Sequence, residues 1–123
     1  MPIADLKLTA TTTAGGTQTA TAPGPIKGLL LGVEWVVGDF AAGVDATLTL
    51  QNTPSGVART LLTLTNANAN AFYNPREAEH DNVGAPTASG STCYPLLCGT
   101  PQLAIAQGGN TKTGSMVLYY LPL

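Results

Sequence analysis

The densest run of chemically capable side chains is Arg76-Glu77-Ala78-Glu79-His80-Asp81. Histidine and carboxylates are the ligand types of zinc and other divalent ions. Their spacing argues against that use, because neighbouring positions on a loop rarely converge on one ion. A solvated or interface loop is expected instead, with no metal and no cofactor. Glu77 and Glu79 would work as general acid and base only with a partner that nothing else in the chain supplies. His80 is the single histidine. It has no Gly-x-Ser-x-Gly elbow or Cys-His hydrolase setting to join, so nucleophilic catalysis fails on inventory. Gly108-Gly109-Asn110 is not followed by the Lys-Ser/Thr helix start of a phosphate cradle. It reads as a hairpin turn between strands ending at Gln107 and resuming at Thr111. No enzyme is expected.

Two cysteines, Cys93 and Cys98, flank Tyr94-Pro95-Leu96-Leu97. A tight turn there would bring the sulfurs together as a small disulfide loop. In a reducing cytosol two buried free thiols are favoured over that bridge. Trp35 shares a face with Leu31, Val33 and Val37 and is expected to anchor the core. Tyr119 and Tyr120 are adjacent in a strand, so their rings point to opposite faces, one to the core and one to an interface or sugar-binding face. Tyr73 precedes Asn74-Pro75-Arg76, where Pro75 ends the strand and frees Arg76 to pair outside it. A Tyr and an Arg at a loop base suit a subunit contact.

The elements that position these residues read as strands. Leu6, Leu8 and Ala10 alternate with Lys7 and Thr9; Val44, Ala46, Leu48 and Leu50 alternate with Asp45, Thr47 and Thr49. The longest stripe is Leu29, Leu31, Val33, Trp35 and Val37. Leu62 with Leu64, Leu103 with Ile105, and Met116, Leu118 and Tyr120 continue the period. No window shows helical spacing. Gly15-Gly16, Pro23-Gly24-Pro25, Asp39 to Gly43, Asn52 to Gly56 and Gly108 to Asn110 punctuate the strands with turn-forming residues. The expected fold is all-β, a single antiparallel β-sandwich or jelly-roll-like barrel spanning residues 1–123. Two segments stand apart. Residues 1–25, and Thr9 to Ala22 above all, form a Thr/Ala-rich edge strand or hairpin, or an arm exchanged with a neighbouring subunit. Tyr73 to Cys93 holds no periodicity, and connections this long are usually functional.

Composition excludes several partners. Only five Lys and Arg occur in 123 residues and the net charge is -2, which leaves no basic footprint for nucleic acid. No apolar run approaches the roughly 18 residues of a membrane span, and Met1-Pro2-Ile3-Ala4-Asp5 lacks the basic and apolar regions of a signal peptide. Synthesis in a cytoplasm is expected. Charged residues make up 10% of the chain, against about 25% in an average soluble domain. Charge depletion characterises buried interface cores, and a protein packed in an assembly tolerates it.

Several segments together carry a family resemblance. They are Gly38-Asp39 through Gly43-Val44-Asp45-Ala46-Thr47-Leu48-Thr49, then Tyr73-Asn74-Pro75-Arg76 and His80-Asp81-Asn82-Val83-Gly84. The last are Ala106-Gln107-Gly108-Gly109-Asn110 and Thr113-Gly114-Ser115-Met116-Val117-Leu118-Tyr119-Tyr120. This pattern, over the later part of the chain, resembles the small β-rich capsid decoration or cement proteins of tailed phages. The resemblance implies a structural virion protein, made in the host cytoplasm and bound to the capsid exterior, commonly as trimers. Its partner would be the major capsid protein, whose neighbouring subunits it would crosslink, with no cofactor. Tyr73, Arg76, His80 and Asp81 are the expected interface residues. The alternative is a tail- or fibre-associated β-sandwich that binds glycan or a host surface; a tail-tube or head-completion subunit also fits a small β domain.

Overall fold

The computed structural model describes residues 2–87 and 90–123, so Ala88 and Ser89 of the long loop, and Met1, lie outside the described residues. The elements are β1 (Ala4–Thr11), β2 (Gln18–Thr21), β3 (Ile26–Val36), β4 (Asp45–Gln51), β5 (Arg59–Leu64), β6 (Ala71–Tyr73), β7 (Glu77–Ala78), β8 (Thr92–Cys93), β9 (Leu96–Ala106) and β10 (Thr113–Pro122). The fold is all-β, and every strand pairing is antiparallel. One sheet runs β1-β10-β3-β9-β4-β5, with β2 added to β9 and β6 added to β3; β7 and β8 form a separate small ribbon.

The long strands β3 and β9 make the corner. Ile26–Leu29 of β3 pair with Leu96–Gly99 of β9. Beyond that point the two strands part. Strand β9 turns to β4 and β2, whereas β3 takes β6 through Val33, Glu34 and Trp35. The sheet thus folds into two halves, β1-β10-β3-β6 and β2-β9-β4-β5, over one core. Leu8, Leu30, Val33, Trp35, Met116 and Leu118 enter it from the first half, and Ala46, Leu48, Leu50, Leu103 and Ile105 from the second. Gly28 lies at the corner with φ 159°, and a Cβ there would overlap the Leu121 carbonyl oxygen. Only glycine lets β10 approach that closely.

Four expectations need correction. The stripe Leu29 to Val37 does not stay on one face. Tyr119 of β10 pairs with Gly32 and Tyr120 with Leu30, so Leu31 is an extra residue, a β-bulge. Past the bulge Val33 and Trp35 point inward, but before it Leu30 is the buried residue, and Leu29 and Leu31 are only half-buried on the outer face. A second bulge, where Leu48 pairs with Leu62 and Thr49 with Thr60, makes Leu61 the extra residue of β5. Leu61 and Leu64 are therefore buried, while Leu62 is half-buried. Gly108 to Asn110 is not a hairpin turn. Strands β9 and β10 never pair, and the connection crosses from one half to the other, held by Thr12 Oγ1 on the Gly109 carbonyl at 2.6 Å and by Lys112 N–H on Thr12 Oγ1 at 2.9 Å. Lastly, the thiols are free but not buried: Cys93 is exposed and Cys98 half-exposed.

The Thr/Ala-rich start supplies β1 and β2, which flank β10 and β9 of the same chain rather than each other. A turn at Gly16 separates them, with Gly16 N–H on the Thr13 carbonyl at 3.0 Å.

Asn66 to Ala71, a low-complexity run in the sequence, is a clip between the halves. Trp35 Nε1–H donates to the Ala67 carbonyl at 2.9 Å, and Ala67 N–H to Val44 at 2.8 Å. The side-chain oxygens of Asn68 and Asn70 accept the backbone N–H groups of Gly43 and Val37 at 2.7 and 2.9 Å. Within the run Ala67 is buried, while the Asn68 and Asn70 carboxamides satisfy loop donors that no strand reaches.

Candidate interaction surface

The bulge at Leu31 turns two leucines outward, and the outer face of β3 gathers further apolar groups around them. In β6 the period of two sends Tyr73 inward with Ala71 and Phe72 outward. The Phe72 ring covers Gly32, whose hypothetical Cβ would lie 2.5 Å from Phe72 Cζ. It leans against Tyr119 with ring centroids 6.0 Å apart. Next along β3, Arg76 Nη1 donates to the Leu31 carbonyl at 3.3 Å and to Pro75 at 2.7 Å. Its guanidinium sits 4.1 Å from the centre of the Tyr94 ring, an arrangement that holds a cation by the ring's negative face. Leu96 pairs with Leu29, and its carbonyl accepts Arg59 Nη1–H at 2.7 Å. The result is a band of Tyr119, Phe72, Arg76, Tyr94 and Leu96 across the outer face. Phe72, Tyr94 and Leu96 are 57, 45 and 52% exposed.

Charged groups beside the band have partners within the chain. Arg59 bridges to Glu77. The Tyr119 hydroxyl donates to Glu34 Oε1 at 2.9 Å, and this bond, with partial burial and the negative charges of Glu34 and Asp5, holds the phenol above its ordinary value of 10.0.

The four expected interface residues are not brought together. Tyr73 stands opposite Val33 and packs, half-buried, against the core. Arg76 lies in the band. His80 is exposed and forms an isolated backbone bridge with Pro86. Asp81 closes the tip of the β7–β8 excursion: its Oδ1 accepts the N–H groups of Val83 and Ala85 at 3.0 and 2.9 Å. That is the ordinary work of an Asp in a turn. Among the described residues no three His, Cys, Asp or Glu side chains gather as a metal site.

No family model matches this sequence. A search of curated proteins finds no match either. Among solved structures the chain is similar to one in the structure of the infectious bursal disease virus Gx strain, at 13% identity and a TM-score of 0.30. The likeness covers 99% of this chain and 38% of that one. A likeness of that size carries nothing about function, and what the surface can do follows from its own residues.

The band joins exposed aromatics to an arginine held against the Tyr94 ring, with the Arg59–Glu77 ion pair and the Tyr119–Glu34 hydrogen bond at its rim. Interface cores share this composition, enriched in Tyr, Phe and Arg and depleted of free charge. Sequence reasoning found Arg76 and placed one of Tyr119 and Tyr120 on an outer face without saying which, but missed Phe72, Tyr94 and Leu96. The signal for Phe72 was available in the alternation beside Tyr73. For Leu29 and Leu31 there was none, because Leu30 between them is equally apolar.

Proposed function

We propose that the chain is a structural virion protein, a capsid decoration or cement subunit that binds the outer surface of a shell and adds contacts between the major capsid subunits. One observation carries the reading: a charge-poor β domain presents the aromatic–arginine band of Tyr119, Phe72, Arg76, Tyr94 and Leu96 on its surface. Exposed apolar surface rimmed by polar groups marks an interaction site. Repetition by shell symmetry multiplies even a modest interface across the particle. A structural role needs no cofactor and no catalytic group, and a trimer at a junction of shell subunits would present three such bands at once. The segment resemblances at Tyr73-Asn74-Pro75-Arg76 and Thr113 to Tyr120 fall on strands and connections that frame this band.

The direct test is the copy number of the chain in purified particles, by quantitative mass spectrometry. Abundance comparable with the main shell subunit supports decoration or cement. A handful of copies per particle favours the tail- or fibre-associated binding module, and absence from particles refutes the virion reading. Arg76→Ala and Phe72→Ala address the surface itself. Each should weaken association with shells while changing the isolated domain by no more than about 1 kcal/mol, because both side chains are exposed and the cation–π contact is worth only about that much.

A further inference from the structure

A concavity lies on the side of β6 opposite Phe72, the side that Tyr73 faces. Its volume is about 370 Å³, and its lining combines Leu64 and three alanines with the polar Thr63, Thr65, Asn66, Asn68, Asn70 and Tyr73. That volume falls at the lower end of small-molecule sites, which run from roughly 300 Å³ upward. We propose that this groove binds a neutral sugar residue. The inference stands on the groove's own chemistry and does not depend on the shell-binding reading.

Three observations support it. The first is the lining, which contains no charged residue. An ion would find no partner of opposite charge there, so the ligand is neutral. The second is the donor and acceptor set. Carboxamides and threonine hydroxyls can each donate and accept, which matches a ligand carrying several hydroxyls; Tyr73 adds an aromatic surface with a polar tip. The third is rigidity. Asn68 and Asn70 are tied through their side-chain oxygens to the N–H groups of Gly43 and Val37. Neither amide nitrogen hydrogen-bonds to another described residue. Each carboxamide is therefore fixed before a ligand arrives, with its N–H₂ unused, and ordering it on binding costs little. The clip that joins the two halves of the sheet doubles as a row of preset donors.

The test uses the full ¹⁵N-labelled chain, titrated with glucose, galactose, mannose, N-acetylglucosamine and N-acetylgalactosamine, and with lactose, cellobiose and chitobiose. The expected result is a saturable shift of the Asn68 and Asn70 side-chain amide signals with at least one of these sugars, in the millimolar range. Tighter binding of a disaccharide than of its monosaccharide identifies a unit within a glycan chain; equal binding identifies a free or terminal sugar. Asn68→Asp with Asn70→Asp keeps both oxygen acceptors and the clip but replaces the donors with charge, and should weaken binding at least tenfold. Thr63→Val with Thr65→Val, at exposed positions outside the clip, should weaken it as well and serves if the first pair perturbs folding. No saturable shift with any sugar overturns the proposal. So does binding that both double variants retain, or shifts confined to the Phe72 band.

Discussion

Trp35→Phe tests the account of how the sheet halves are joined. Trp35 is fully buried, stacks on Phe40 at 5.8 Å between ring centroids, and donates its indole N–H to the Ala67 carbonyl. Phenylalanine keeps an aromatic ring but leaves that buried carbonyl without its partner, a penalty of about 1–3 kcal/mol. The smaller ring also leaves a void worth about 1 kcal/mol. Part of the stacking survives, so the total loss should be about 2–4 kcal/mol. With m of about 2 kcal/mol/M in urea, the middle of the range of about 1–3 for small proteins, the midpoint should fall by about 1–2 M. Trp35 is the only tryptophan, so unfolding must be followed by far-ultraviolet circular dichroism rather than indole fluorescence. The Ala67 and Asn68 amides should exchange with solvent faster than those of β4 in the variant. A loss below about 0.5 kcal/mol would refute the reasoning, because it would mean that the indole bond and the Asn–Ala clip do not hold the two halves together.

Gly28→Ala and Gly32→Ala separate folding from binding. The Gly28 variant drives a Cβ into backbone at a positive φ and should lose at least about 2 kcal/mol by urea denaturation. The Gly32 variant meets only the exposed Phe72 ring, which can swing aside, so it should lose under about 1 kcal/mol and yet bind shells more weakly. The Tyr119 phenol should titrate above 10.0 when followed by its ultraviolet absorbance, and Glu34→Ala should bring it back toward that value. Because its folded value is raised, the stability it contributes is complete below the unfolded value and is lost as pH rises through the folded one. Exposed Cys93 should react with a maleimide under native conditions before Cys98 does; equal rates would contradict the difference in exposure.

The period of two was enough to reveal the fold class, because strands half-facing a core must alternate. It placed Val44, Ala46, Leu48 and Leu50 on one buried face, and so they are. It failed where one residue was inserted. A β-bulge moves every residue beyond it to the other face, and nothing in Leu29-Leu30-Leu31-Gly32-Val33 distinguishes a continuous apolar stripe from two shorter ones of opposite phase. Leucine at every position satisfies both. The same ambiguity hid the candidate surface: Leu29 and Leu31 were assigned to the core that Leu30 occupies. Connectivity was illegible for a related reason. Gly108-Gly109-Asn110 has the turn chemistry of a hairpin, yet the choice between pairing β9 with β10 and crossing between halves rests on Thr12 and the Gly16 turn, about a hundred residues upstream.

Charge was the better guide to the surface, and also a misleading one. The run from Arg76 to Asp81 drew attention because charged residues are scarce, but its members do separate jobs: Glu77 pairs with Arg59, Asp81 closes a turn, and Arg76 alone reaches the aromatic band. In a chain with so little charge, the ions of this region are largely consumed in holding backbone and loops. The surface free to recognise anything is then the surface without them. That logic yields two faces of different character. One is the aromatic band, which gains by excluding water; the other is the row of Asn and Thr groups below Tyr73, which gains only by exchanging hydrogen bonds with a ligand. Salt should therefore leave association at the groove unchanged and weaken it only slightly at the band, where Arg76 is the one charge. A steep loss of shell binding between 50 mM and 500 mM salt would place the contact elsewhere, on the few free lysines and carboxylates instead of on Phe72 and Tyr94.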